Sequence, residues 1–160
     1  DTNGGDTAND GLSIPQAGDW KGITISSGSG TSTISYAKFL YGGKFTNSNP
    51  RAVLKIDSTN ANVSNSIFQY YNHRGLWLLS SSASISNSLF SGCLNETNCS
   101  YRPDSSGLYL ELSIPTLENL TFRNNITAIE AASGSSVNAV GTIDMDSSNL
   151  ATTSPSNLLP

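Results

Sequence analysis

The 160-residue sequence predicts an all-β chain folded as a right-handed parallel β-helix, a three-faced solenoid of about five coils. Three observations predict it. A strand–Asn–Phe unit repeats along the chain, two hydrophobic registers within the unit keep a constant offset, and the composition is too poor in charge for surface helices.

The repeat comes first. Thr33–Phe39, Asn62–Phe68, Ser84–Phe90 and Thr116–Phe122 each place an aliphatic residue (Ile34, Val63, Ile85, Leu117) five positions before a phenylalanine. Three of the four carry asparagine two positions after the aliphatic residue, at Asn65, Asn87 and Asn119. The Phe-to-Phe steps are 29, 22 and 32 residues, so the units share a pattern but not a loop length.

The second register precedes each unit. Gly22-Ile23-Thr24-Ile25, Leu54-Lys55-Ile56, Gly75-Leu76-Trp77-Leu78 and Gly107-Leu108-Tyr109-Leu110 read as short alternating strands. Leu54, Leu76 and Leu108 sit nine residues before Val63, Ile85 and Leu117, whereas Ile23 sits eleven before Ile34, which lengthens the first turn by two. A fifth, weaker copy runs from Ile129-Glu130-Ala131 to Val137.

Each unit is therefore strand, short turn, strand, one-residue Asn corner, strand and variable loop. Three short strands in about 22 residues, without helical periodicity, describe one turn of a three-faced solenoid. Asparagine suits the corner because it tolerates the left-handed conformation. Stacked amides at Asn65, Asn87 and Asn119 are expected to form a ladder, interrupted at Tyr36 and Ala139. Inward columns are expected at Ile34, Val63, Ile85, Leu117 and Val137, and at Phe39, Phe68, Phe90 and Phe122. The reading is one domain, with residues 1–21 as an N-terminal loop or cap, 22–143 as coils and 144–160 as a tail. A β-sandwich or jelly roll is the alternative. The constant offset and repeated asparagine argue against it, as does the scarcity of hairpin signals.

Composition narrows the function classes. Charged residues make up 12% of the chain, against about 25% in an average soluble protein. Net charge is −4 and the eight Lys and Arg are scattered, so no basic stripe exists for nucleic acid. No apolar run approaches the ~18 residues of a membrane span. No signal-peptide pattern opens the sequence, so an exported protein would be a mature chain or an excised piece. Cys93 and Cys99, with five residues between them, are expected to close a small disulfide loop, which suits an extracellular or cell-surface location. N-x-S/T sequons begin at Asn62, Asn95, Asn98, Asn119 and Asn125, with Asn95, Asn98 and Asn125 taken as glycosylation candidates.

The repeats resemble those of right-handed parallel β-helix domains of bacterial and archaeal surface proteins. They are similar, more distantly, to the pectate-lyase-like solenoids, whose helices carry an Asn ladder. The opening Gly4-Gly5-Asp6-Thr7-Ala8-Asn9-Asp10-Gly11, followed by Gly18-Asp19-Trp20-Lys21-Gly22-Ile23, resembles an element of the same surface proteins. The resemblance spans roughly residues 4 to 143 and implies a fold rather than an activity.

Four places are candidates for chemistry. Thr24, Lys55, Trp77, Tyr109 and Glu130 form the outward row of the first strands. Trp77 and Tyr109, on neighbouring coils about 4.8 Å apart, would offer a sugar-stacking platform flanked by Lys55 and Glu130, unless the 91–106 loop covers them. The N-terminal loop, with Asp1, Asn3, Asp6, Asn9 and Asp10, approaches a calcium loop, the only cofactor considered. Ala8 at a ligand position leaves it incomplete, and a polar capping loop is the plainer reading. Catalytic carboxylates would come from Asp57, Glu111, Glu118 and Glu130, with Arg74, Arg102 and Arg123 as cations and His73 nearby. No two of these acids share a column on adjacent coils. An ice-binding row would need aligned threonines, and Thr24, Thr33 and Thr121 fall in different columns.

The fourth place is the pair of ends. Solenoid ends carry open edges that pair with other chains unless capped. The expectation is a non-catalytic extracellular module with a structural, adhesive or self-assembling role, associating end to end into oligomers or filaments. Its alternative is a carbohydrate-binding or carbohydrate-active β-helix using the Trp77/Tyr109 face.

Overall fold

The computed structural model describes residues 14–28, 30–44, 51–93, 105–132 and 134–145. The calcium-loop residues Asp1, Asn3, Asp6, Asn9 and Asp10 lie outside them, as do Asn95, Asn98, Cys99 and Arg102.

The described residues form strands and turns, and no helix. The first coil holds β1 (Ile23–Ser26), β2 (Ser32–Ser35) and β3 (Lys38–Leu40). The second holds β4 (Ala52–Asp57), β5 (Ala61–Ser64) and β6 (Ile67–Gln69). The third holds β7 (Arg74–Leu79), β8 (Ser84–Ser86) and β9 (Leu89–Ser91). The fourth holds β10 (Ser106–Glu111), β11 (Thr116–Glu118) and β12 (Leu120–Arg123). The fifth holds β13 (Thr127–Ala131), β14 (Asn138–Ala139) and β15 (Ile143–Met145). Equivalent strands of successive coils pair in parallel, giving three five-stranded sheets: β1-β4-β7-β10-β13, β2-β5-β8-β11-β14 and β3-β6-β9-β12-β15. The molecule is a three-faced parallel β-helix of five coils. Among the described residues no helix is long and apolar enough to cross a membrane.

The register follows the predicted columns. Ile23, Leu54, Leu76, Leu108 and Ile129 align on the first sheet, and Phe39, Phe68, Phe90 and Phe122 on the third. On the second sheet Ile34, Val63, Ile85 and Leu117 align, but their fifth partner is Ala139, not Val137. Val137 packs against the core from the bend before β14. The corner position of the fifth coil therefore falls on Gly141, where an added Cβ would lie 2.5 Å from Asn119 Oδ1. β15 also runs two residues past the expected end of the coils at 143.

Two devices hold the corners. The first is left-handed backbone. Tyr36, Asn65, Asn87 and Asn119 have φ of 54°, 50°, 47° and 51°, as the Asn corner predicts. The other two corners use it as well, at Ser58, Ser80 and Leu112, and at Tyr41, Tyr70 and Asn124. The bend leaves a backbone N–H out of line with the carbonyl it would reach in a straight ladder, and a buried group of that kind must find a partner. The second device meets that need with buried serines. Ala37 N–H donates to Ser66 Oγ and Ser66 N–H to Ser88 Oγ, while each hydroxyl donates back to the carbonyl two residues earlier. Ser81, Ser113 and Ser135 repeat the arrangement at another corner, with N–H to Oγ distances of 3.1 and 3.2 Å.

The core is a column of phenyl rings flanked by aliphatic columns. Phe39, Phe68, Phe90 and Phe122 stack at centroid distances of 4.8, 4.8 and 5.2 Å, nearly parallel. Gly75 and Gly107 make room for them. A Cβ on Gly107 would come within 2.7 Å of Phe122 Cδ1 and 2.8 Å of the Ala128 carbonyl.

One polar cluster is buried beside this column. Asn125 is 1% exposed, and its amide donates to Phe90 O (3.0 Å) and Arg123 O (2.9 Å) while its Oδ1 accepts from buried Tyr71. The amide nitrogen of Asn125, one of the sequon asparagines, therefore faces the interior with both hydrogens donated. Burial raises the Tyr71 phenol well above its usual range.

Candidate functional site

The outward row of the first sheet is placed as predicted. Thr24, Lys55, Trp77, Tyr109 and Glu130 are register neighbours on five successive strands. Alternation puts them outside because Leu54, Ile56, Leu76, Leu78, Leu108 and Leu110 fill the inside.

The row is not an open aromatic platform. Trp77 and Tyr109 meet edge to face, with centroids 5.6 Å apart and planes at 81°. Lys55 Nζ stands 4.6 Å over the Trp77 ring. The Arg74 guanidinium lies 5.1 Å from that ring and 3.4 Å from the Tyr109 centroid. Such contacts are worth about 0.5–2 kcal/mol and occupy the faces a sugar would need. The indole N–H of Trp77 is buried, with no acceptor among the described residues, so it too is withheld from a ligand. Arg74 was foreseen only as a catalytic cation. It lies three residues before Trp77 in sequence, a spacing that gives no hint of stacking on a ring from the next coil.

The charges of the row are largely satisfied within it. Lys55 and Asp57 form an ion pair at 2.7 Å. The hydrogen bond from Lys55, with a further one from Ser58, holds the Asp57 carboxyl below its usual value despite partial desolvation. Partial burial raises the Tyr109 phenol, an effect opposed by Arg74 and reinforced by Glu111 and Glu130.

The proposed carboxylate set does not converge. In register, Asp57 faces Leu79, Glu111 faces Leu79 from the other side, Glu118 faces Ser86, and Glu130 faces Tyr109. His73 is buried, its Nδ1 3.1 Å from Arg51 O. Arg123 pairs with Asp144 on the third sheet. Among the described residues no group of three or more His, Cys, Asp or Glu is placed to hold a metal ion.

The Asn corner is partly a ladder. Asn119 Nδ2 donates to Asn87 Oδ1 (3.3 Å), and Asn119 Oδ1 accepts from Thr142 N–H (3.2 Å). Asn65 shares the column, its backbone N–H donating to Ser86 O.

The ends are the remaining site. At one margin β1, β2 and β3 each pair with a strand on a single side among the described residues, and the Leu40 carbonyl of β3 accepts from Trp20 Nε1 at 2.7 Å. Ile23 there is 47% exposed, while Leu54, Leu76 and Leu108 of its column are fully buried. At the other margin Met145, in register with Phe122 at the head of the phenyl column, is 38% exposed. Ile129 and Ala131, ending the first sheet, are covered.

No family model, no curated protein and no solved structure matches this chain.

Proposed function

We propose that the chain is a non-catalytic structural module of an extracellular or cell-surface protein, which associates through its exposed end coil with a second copy. The observation that carries this reading is Ile23. A core-column isoleucine that is half exposed, on a strand that pairs on one side only among the described residues, is a surface of the kind that parallel strands extend. Burying one such side chain contributes about 1.5–3 kcal/mol, and strand pairing along the β1 margin would add to it. Low charge and the Cys93/Cys99 spacing support the extracellular placement.

Sedimentation velocity over a wide concentration range tests the reading. Wild-type protein is expected to form dimers or longer species, and Ile23→Asp to sediment as a monomer. A matching loss with Met145→Asp would bring in the opposite end and predict filaments by electron microscopy. Wild-type protein that stays monomeric at the highest concentration reached would refute the proposal.

A further inference from the structure

An open groove of about 480 Å³ runs along the corner between the second and third sheets. Tyr36, Asn65, Asn87 and Asn119 line it, with Ile67 and Leu89 beside them. These are corner residues and outward residues of four successive coils, so the groove spans about 14 Å parallel to the helix axis at ~4.8 Å per coil. We propose that it binds an extended, uncharged polysaccharide.

Three observations carry this. First, no acid and no base lines the groove. An anionic sugar polymer or a nucleic acid would call for cations in it. Secondly, its polar groups repeat at the coil spacing and are incompletely used. The Asn65 amide and Asn87 Nδ2 have no hydrogen-bond partner among the described residues, whereas Asn119 is engaged on both sides. An amide offers a donor and an acceptor together, which matches a hydroxyl.

Thirdly, Tyr36 replaces asparagine at the first corner. It holds the same left-handed backbone at φ 54°, a conformation uncommon for a bulky side chain, and is 81% exposed. Tyr41 and Tyr70, also left-handed, stack on each other at 5.0 Å. Tyr36 makes no ring contact among the described residues, and its flat face at the mouth of the groove is open to the C–H face of a pyranose ring. A peptide would bind differently, because strand addition uses sheet edges, and these lie at the ends of the helix and not along its corner.

The test is calorimetric titration of the full chain, produced without N-glycans, with hexaoses of glucose, xylose and mannose. Hexagalacturonate and an extended neutral hexapeptide serve as comparisons. At least one neutral hexaose is expected to bind, and Tyr36→Asn to weaken it at least 10-fold. That variant installs the corner residue of the next three coils, so its fold is preserved, as circular dichroism would check. Leu89→Arg, which fills the groove, is expected to abolish binding, and Trp77→Ala to leave it within twofold. The proposal is overturned if no neutral hexaose binds at millimolar concentration, if Tyr36→Asn binds as wild type does, or if hexagalacturonate or the peptide binds more tightly.

Discussion

Replacing Phe90 by alanine should be far costlier than truncating the end of the phenyl column. Phe90 is fully buried and stacks on Phe68 at 4.8 Å and on Phe122 at 5.2 Å. A buried Phe→Ala change costs about 3–5 kcal/mol, and each ring pair adds about 0.5–1.5 kcal/mol beyond area. With two ring partners and no solvent contact, Phe90→Ala belongs at about 4–5 kcal/mol. Phe39 has one ring partner, at 4.8 Å, and is 9% exposed at the end of the column. Its truncation belongs at about 2–3 kcal/mol, since water reaches part of the site already. Phe90→Leu keeps most of the volume and loses the stacking, for about 1–2 kcal/mol. Equilibrium urea unfolding measures all three, with a constant m-value showing that the same transition is followed. If Phe39→Ala costs as much as Phe90→Ala, the column is not behaving as a stack of nearest neighbours, and the reasoning fails.

Asn125→Ala should cost about 2–4 kcal/mol, because it strands Phe90 O, Arg123 O and the Tyr71 hydroxyl in the interior; thermal unfolding reads it. Tyr71→Phe should cost about 1–2 kcal/mol at neutral pH and flatten the alkaline limb of the stability curve. The folded phenol is raised, so its contribution is complete below about pH 10 and is lost as pH rises beyond that; urea midpoints from pH 7 to 11 check this. Asp57→Asn should cost less than about 1 kcal/mol at pH 7, as the pair is partly exposed. The folded carboxyl is depressed, so the difference between variant and wild type should vanish as pH falls through and below about 4.

Much of this was legible because parallel coils repeat the same chemistry at a fixed offset. The nine-residue step from Leu54, Leu76 and Leu108 placed two sheets in register, and the outward row from Lys55 to Glu130 followed by alternation. The fifth coil misled because hydrophobicity favoured Val137 over Ala139, while register is set by strand pairing and admits a small residue at a solenoid end. The serine brackets went unseen because serine is common throughout the chain, and only burial distinguishes Ser66, Ser88 and Ser113 from the rest. The burial of Asn125 was hidden for a related reason: a sequon says nothing about which way its asparagine points. The groove was out of reach because it joins corner residues such as Asn65 to outward residues of the third sheet such as Ile67, and the angle between these exists only in three dimensions.

The corners also divide the chain into positions that accept length and positions that do not. The Asn corner takes two, two and one residues in the second, third and fourth coils, whereas the links from the third sheet back to the first take 11, 4, 14 and 3 residues in successive coils. An insertion at the Asn corner would turn the third-sheet strand that follows it inside out. At the third corner the same insertion leaves all three ladders in step. That seam is therefore where the scaffold would accept a grafted peptide, an epitope or a metal loop, presented on a rigid rod and spaced by whole coils.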